Sequence, residues 1–232
     1  MQTLSSQSSQ RSPHLHPTAS PYRIIAMGDS LIYGYGDVEG GGWVERLRRR
    51  WMLPDSPGHV LYNLGIRGDG IQQVSRRLEA EFHNRGELRH RVPDIMILSV
   101  GTNDSARLGR SYGRNFTEPD VFAADLDHVL ERASQLCRVF FVGMTPVDEA
   151  KMPFSNFLHY NHSDQQHYQM LTQAACQRHT IPYLDVLNLW LSRGEAWWRS
   201  RLSDDGLHPT ADGYDALLQD FLAWDAVAAW AR

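Results

Sequence analysis

Cysteine is scarce in this 232-residue chain: Cys137 and Cys176 are the two present, in separate segments of helical pattern, with no CxxC pair and no neighbouring histidines at zinc-site spacing. That excludes a disulfide framework or a structural zinc site as the organising principle, and both thiols are expected to be free and buried. Long apolar runs are lacking as well. No segment approaches the roughly 18 consecutive apolar residues of a membrane-spanning helix. The serine-rich residues 1–20 have no apolar core of the kind a signal peptide carries, so they read as a disordered tail. A cytoplasmic protein without stable membrane insertion is the expectation. There is no excess of basic charge either: 23 Lys and Arg against 27 Asp and Glu give a formal charge of -4, so nucleic acid is not expected as a partner. The basic cluster "RLRRRW", Arg46 to Trp51, has helical spacing and reads as the solvated face of a helix.

Several motifs are missing. The glycines from Gly34 and from Gly68 each fail the third position of a dinucleotide fingerprint, and no GxxxxGK[ST] phosphate loop occurs. No cofactor is implied. His159, His162 and His167 form an H-x2-H-x4-H group without the HExxH pattern, which favours surface or loop histidines over a metal site.

What is present is the composition of a soluble globular protein, 42% hydrophobic and 22% charged, suited to one domain over residues 21–232. Five short apolar runs punctuate it: "YRIIAM" from Tyr22, "HVLYNL" from His59, "DIMILSV" from Asp94, "RVFFVGM" from Arg138 and "IPYLDV" from Ile181. They have strand length, and most are continuous rather than alternating, as strands buried on both faces should be. Between them the spacing is helical: Trp43, Leu47 and Trp51; Ile71, Val74, Leu78 and Phe82; Val121, Phe122, Leu126, Val129 and Leu130. Trp190, Trp197, Trp198, Trp224 and Trp230 read as core. Alternating strands and helices predict an α/β fold, a parallel sheet covered by helices on both faces, with ligands bound where the strand order reverses.

The residues to read are then the polar ones just after each strand: Asp29 and Ser30 after the first, "GIRGDG" at Gly65 to Gly70 after the second, "GTND" at Gly101 to Asp104 after the third and "TPVDE" at Thr145 to Glu149 after the fourth. The fifth leads through a tryptophan-rich helix to "DGLHP" at Asp205 to Pro209. A serine nucleophile needs a base, a group to orient that base, and donors for the oxyanion. Asp205 and His208, three apart on a tight turn, could pair so that the free ring nitrogen faces Ser30. Pro209 suits the first turn of a last helix predicted over Thr210 to Trp230. Candidate oxyanion donors are the amides of Ser30 and Gly65 and the side chain of Asn103. Ser30 taken alone would more often be a helix cap, and it is the three blocks carrying Gly65, Asn103 and His208 that turn the reading to a nucleophile. Asp29 reads as structural, Arg67 and Asp69 as ties within their loop, and Asp104 as a cap for the helix after the third strand.

Taken in order, "GDSL" at Gly28 to Leu31, Gly65 in "NLGIRG", "GTND" and "DGLHP" resemble the four blocks of the SGNH hydrolases, the GDSL esterase/lipase family. The resemblance spans about Arg23 to Phe221. It implies a flavodoxin-like three-layer α/β/α fold with a five-stranded parallel sheet. It also implies Ser30 as nucleophile, His208 as base, Asp205 as its partner, and Ser30, Gly65 and Asn103 as the oxyanion hole. The GxSxG of α/β-hydrolase lipases is absent, since position 32 is Ile. A small-molecule ester, hydrolysed through an acyl-enzyme without a metal, is the expected substrate. Acyl transfer to another alcohol, or a flavodoxin-like module that binds without catalysis, would use the same scaffold. Nothing in the sequence fixes an oligomeric state. The apolar segment Val147 to Asn161, carrying Met152, Phe154, Phe157, Leu158 and Tyr160, lies beyond a strand end; Phe154, Phe157 and Leu158 are expected to wall a shallow pocket for short acyl groups.

Overall fold

All five apolar runs form strands of one parallel sheet. In the computed structural model, which describes residues 21–85, 91–228 and 230–231, the strands are β1 (Arg23–Gly28), β2 (Val60–Gly65), β3 (Ile95–Ser99), β5 (Arg138–Val142) and β7 (Tyr183–Leu184), in the order β2-β1-β3-β5-β7. The two remaining strands among the described residues, β4 (Arg107–Leu108) and β6 (Leu158–His159), pair antiparallel as a separate small ribbon. The helices are α1 (Ser30–Tyr33), α2 (Gly42–Trp51), α3 (Ile71–Asn84), α4 (Thr102–Ser105), α5 (Pro119–Leu136), α6 (His162–Arg178), α7 (Val186–Ser192), α8 (Glu195–Arg199), α9 (Ala211–Ala223) and α10 (Asp225–Ala228). The expectation of a disordered tail over residues 1–20 lies outside the described residues.

The strand runs are continuous because each face of the sheet has its own core. Ile24, Ala26, Ile95, Ile97, Phe140 and Val142 pack with Trp43, Leu47 and Trp51 of α2 and with Tyr214, Leu217 and Phe221 of α9. The alternate residues Ile25, Met27, Met96, Leu98, Val139 and Phe141 pack with Ile71, Val74, Leu78 and Phe82 of α3 and with α5 and α6. Period-two alternation therefore divides one apolar run between two layers. Trp190, Trp198 and Trp230 are buried and Trp197 and Trp224 pack at the margin of the first core.

Some expectations need correction. Val121 is 45% exposed rather than a core position, because it lies in the first turn of α5 on the side away from Phe122 and Leu126. Cys137 is only half-buried, because it sits just past the end of α5 in extended backbone; Cys176 is buried as expected, and both thiols are free. The last helix is shorter than predicted. It spans Ala211–Ala223, capped by Thr210, whose hydroxyl accepts from the Gly213 amide, and it breaks at Trp224 before the short α10. Pro209 thus precedes the cap and bridges to Leu202 instead of opening the helix. Within "RLRRRW" the arginines do face outward, Arg46 pairing with Asp37 and Arg48 with Glu45, while Leu47 and Trp51 are buried.

β1 lies between β2 and β3, so the chain steps from β1 to β2 on one side and then crosses back past β1 to β3 on the other, and this reversal opens a crevice beyond the carboxyl ends of β1 and β3. The loops after β1, β2 and β3 meet there.

Candidate active site

The first loop delivers a serine. β1 ends at Gly28, and Asp29 caps α1 by accepting the Leu31 amide at 2.9 Å, which leaves Ser30 as the first helical residue. Asp29 is wholly buried. Burial pushes its carboxyl up to about 7, against the opposing bond from the Leu31 amide and with the nearby Asp104 and Asp69 adding to the rise.

A fourth loop, after α8, carries the base. The Asp205 carboxylate accepts from the Ser203 hydroxyl at 2.7 Å and from the amides of Leu207 and His208, each at 2.9 Å. Its second oxygen meets His208 Nδ1 at 2.7 Å, and His208 Nε2 lies 2.9 Å from Ser30 Oγ. Burial alone would raise the Asp205 carboxyl, but the bonds from the His208 ring, the two amides and the Ser203 hydroxyl hold it well below the usual carboxylate range. A carboxylate so fixed orients the imidazole and favours a proton on Nδ1, so that Nε2 presents a lone pair to the serine. Tyr35 and Phe154 pack edgewise on the imidazole, with ring centroids 4.5 and 5.6 Å away.

These residues border a cavity of about 400 Å³ lined by Ser30, Arg67, Gly68, Asn103, Phe154, Leu158, Tyr160, Leu207 and His208. The Asn103 side chain is held at both ends: Nδ2 donates to the Asp69 carbonyl at 3.0 Å, and Oδ1 accepts from the Tyr160 hydroxyl at 3.1 Å. One N–H of its amide remains for the cavity.

Gly65 is not where the sequence led us to expect it. It is still the last residue of β2, paired in register with Gly28, and its amide donates to Asn63 Oδ1 at 3.0 Å. A Cβ there would come within 2.1 Å of the Tyr33 nitrogen, so this glycine serves the close approach of α1 to β2. The residue of that loop on the cavity is Gly68, at φ +82°. Its signal was the second glycine of "GIRGDG", one turn further on.

The apolar segment divides in the same way. Phe154 and Leu158 line the cavity, whereas Phe157 is 53% exposed and takes no part in it. Leu158 belongs to β6, and alternation along that ribbon turns Phe157 outward beside Gly109. Tyr160 and Leu207 were not anticipated on the wall; both are buried in a small cluster with Ala106 and Val147.

Two loop residues act across the site. Asp69 pairs with Arg77 at 2.9 Å, and Arg77 also donates to the carbonyls of Leu64 and Gly28, tying the ends of β2 and β1 together. Asp104 does not cap its own helix, whose cap is Gly101; it accepts from the Ile71 amide at the start of α3 and from the Thr117 hydroxyl at 2.6 Å. Burial pushes its carboxyl up to about 6, against those bonds. His162 Nε2 bonds the Val147 carbonyl at 2.7 Å, and among the described residues no three His, Cys, Asp or Glu side chains converge to hold a metal. No helix among them is long and apolar enough to cross a membrane.

The family model described as GDSL-like lipase/acylhydrolase matches residues 26–216. Platelet-activating factor acetylhydrolase IB subunit alpha1 of Homo sapiens is 38% identical over 81 residues, which is 35% of this chain and 28% of that protein. The match thus spans well under a third of that relative's length. The acetylxylan esterase Axe2 from Geobacillus stearothermophilus superposes with a TM-score of 0.65 at 17% identity, covering 89% of this chain and 95% of that one. LAE5, an alpha/beta hydrolase enzyme from the metagenome of Lake Arreo, gives a TM-score of 0.62 at 19% identity over 88% and 95% of the two chains. At these identities the likeness is one of fold.

Proposed function

Because the chain belongs to the GDSL-like lipase/acylhydrolase family, we propose that it hydrolyses small carboxylic esters with Ser30 as nucleophile, His208 as general base and Asp205 as the partner that orients the base. The observation that carries this reading is the continuous hydrogen-bonded line from Ser30 Oγ through His208 to Asp205, at 2.9 and 2.7 Å, opening on a cavity.

In this mechanism Ser30 Oγ attacks the ester carbonyl carbon as its proton passes to His208 Nε2. The carbonyl π bond becomes an oxyanion, which receives hydrogen bonds from the amides of Ser30 and Gly68 and from Asn103 Nδ2. Collapse of the tetrahedral intermediate breaks the bond to the leaving oxygen, and His208 returns its proton to the departing alcohol. Water, deprotonated by the same nitrogen, then attacks the acyl-enzyme and releases the acid and Ser30. Asp205 keeps its charge throughout and stabilises the imidazolium that forms twice per cycle.

The acyl group is short in this reading. Buried Tyr160 and Leu207 and half-buried Phe154 and Leu158 close the cavity, and the volume is near the low end for small-molecule sites. Acetyl to hexanoyl esters fit such a pocket better than long chains.

The test is a fluorophosphonate label with a graded series of p-nitrophenyl esters. The expectation is one adduct, on Ser30, and turnover that disappears in Ser30→Ala while the melting temperature stays nearly constant. An unlabelled serine, or a Ser30→Ala variant that still turns over, would overturn the reading.

A further inference from the structure

One charged side chain on the cavity wall has no part in the chemistry above. Arg67 reaches the cavity from the loop after β2, exposed at its mouth. Three other arginines of the surrounding elements are matched: Arg77 by Asp69, Arg46 by Asp37 and Arg107 by Asp164. Arg67 has no such partner. Among the described residues no carboxylate stands within ion-pair distance of it, and the neighbouring acids are committed, Asp69 to Arg77 and Asp205 to His208.

Arg67 is nevertheless held in place. Its guanidinium carbon lies 3.8 Å from the centroid of the Tyr35 ring. An arginine on an aromatic face is positioned without being neutralised, and the N–H groups at its edge stay available for a planar acceptor. The platform is itself fixed: the Tyr35 amide donates to the Ser30 carbonyl at 3.0 Å, and its own carbonyl accepts from the buried Tyr214 hydroxyl at 2.9 Å. The loop bearing Arg67 is pinned on both sides, by the Ile66 amide on the Gly28 carbonyl and by Asp69 between Arg77 and Asn103. The other face of this arrangement is the base, since Tyr35 packs on the His208 ring. A positioned, uncompensated cation therefore shares with the base a cavity whose wall also carries the apolar Phe154, Leu158 and Leu207. The chain's formal charge of -4 supplies no general attraction for anions, so any preference for one must be local.

We propose that Arg67 is the subsite for an anionic group, a carboxylate or a phosphate, carried by the ester substrate. The inference rests on the ester-hydrolase reading and narrows it from small esters in general to acid-bearing ones. The guanidinium edge takes two oxygens of the anion side by side, a geometry that carboxylate and phosphate share and an ester or amide lacks.

The anion can sit on the leaving alcohol or on the acyl group, and paired probes separate these. para-Acetoxybenzoate is compared with para-acetoxybenzamide, and the mono-p-nitrophenyl ester of fumaric acid with the p-nitrophenyl ester of fumaramic acid. At low ionic strength the wild type should prefer the carboxylate of at least one pair by about tenfold in kcat/KM, the scale of one charge-assisted contact at a partly exposed site. That preference should shrink with added salt, fall to near unity in Arg67→Gln and survive in part in Arg67→Lys. Binding is measured separately on the Ser30→Ala protein by calorimetric titration with para-hydroxybenzoate and with monomethyl fumarate. At least one acid should bind, and Arg67→Gln in that background should abolish its binding. Acid binding without turnover of any ester would sink the hydrolase reading and leave the anion subsite standing. Wild-type indifference to charge in both pairs, or a preference unchanged in Arg67→Gln, would overturn the subsite.

Discussion

Replacing Tyr160 by phenylalanine removes a single hydroxyl from the cavity wall and asks whether the Asn103 amide must be held to act. Tyr160 is 2% exposed, and burial pushes its hydroxyl further above the ordinary tyrosine value, so it stays a donor at every working pH. It donates to Asn103 Oδ1 at 3.1 Å, while Nδ2 donates to the Asp69 carbonyl at 3.0 Å. Together these two bonds fix which end of the amide faces the cavity. Losing one leaves the other, so the amide loosens without being freed. The cost is one neutral hydrogen bond, about 1 kcal/mol, which is about fivefold in kcat. Asn103→Ala deletes the donor itself, and a loss of about 10² to 10³ is the scale for that. The phenyl ring of Tyr160→Phe keeps the place of the tyrosine ring among Ala106, Val147 and Leu207, so the melting temperature should fall by no more than the lost hydrogen bond accounts for, about 2–4 °C. The assay is steady-state hydrolysis of p-nitrophenyl acetate, with kcat and KM resolved for both variants. A Tyr160→Phe enzyme with wild-type kcat would refute the positioning argument. A fall as deep as that of Asn103→Ala would refute it from the other side, by making Tyr160 a donor to the oxyanion in its own right.

Three further outcomes follow from the same geometry. Gly65→Ala, whose Cβ would lie 2.1 Å from the Tyr33 nitrogen, should lower the melting temperature by several degrees, whereas Gly68→Ala, with open space around its Cβ and only the strain of its positive φ to bear, should lose less in melting temperature and more in kcat; paired thermal and kinetic measurements reverse the assignment if the two patterns exchange. Phe154→Ala should shift the acyl chain-length optimum of p-nitrophenyl esters toward longer chains, and Phe157→Ala should leave the profile as it is; a shift in Phe157→Ala would restore that residue to the wall. Asp29 has its folded-state value raised to about 7 by burial, so its stabilising contribution is full below the unfolded value near 3.8 and is lost as pH rises toward and through 7. Asp29→Asn should therefore gain melting temperature relative to wild type between pH 5 and pH 8, and a constant difference across that range would count against a buried, titrating Asp29.

The fold was legible because strand and helix signals are each carried by residues close together in the chain. "RIIAMG" and "IMILS" are almost wholly apolar, which a strand covered on both faces requires, and the i, i+4 pattern of Trp43, Leu47 and Trp51 survives intact in α2. The meeting of Ser30, His208 and Asp205 was legible for a related reason. Each sits in a short block whose local turn already dictates its neighbours: Asp205 and His208 meet across three residues, and Asp29 caps the helix that Ser30 begins.

The misreadings around the cavity share the opposite property, since each was decided by a partner remote in sequence. Whether Gly65 or Gly68 faces the cavity depends on where β2 stops pairing with β1, a strand well before it in the chain, and the pattern of "YNLG" gives no local sign of that end. Phe157 and Leu158 are equally apolar, and only the pairing of Leu158 with Leu108 sends one to the cavity and the other to solvent. Asp104 looked like a local cap, yet its carboxylate serves an α3 amide thirty-three residues away. The same distance hides Arg67, whose alignment depends on an aromatic ring in a different loop. The line from Ser30 to Asp205 is thus set largely within its own loops, while Asn103 and the residues that shape what enters the cavity are held by contacts between loops. Substitutions at Arg67 and Leu158 should alter substrate preference without touching the line from Ser30 to Asp205, whereas Phe154, which packs on the His208 ring, is where a change of specificity also reaches the base.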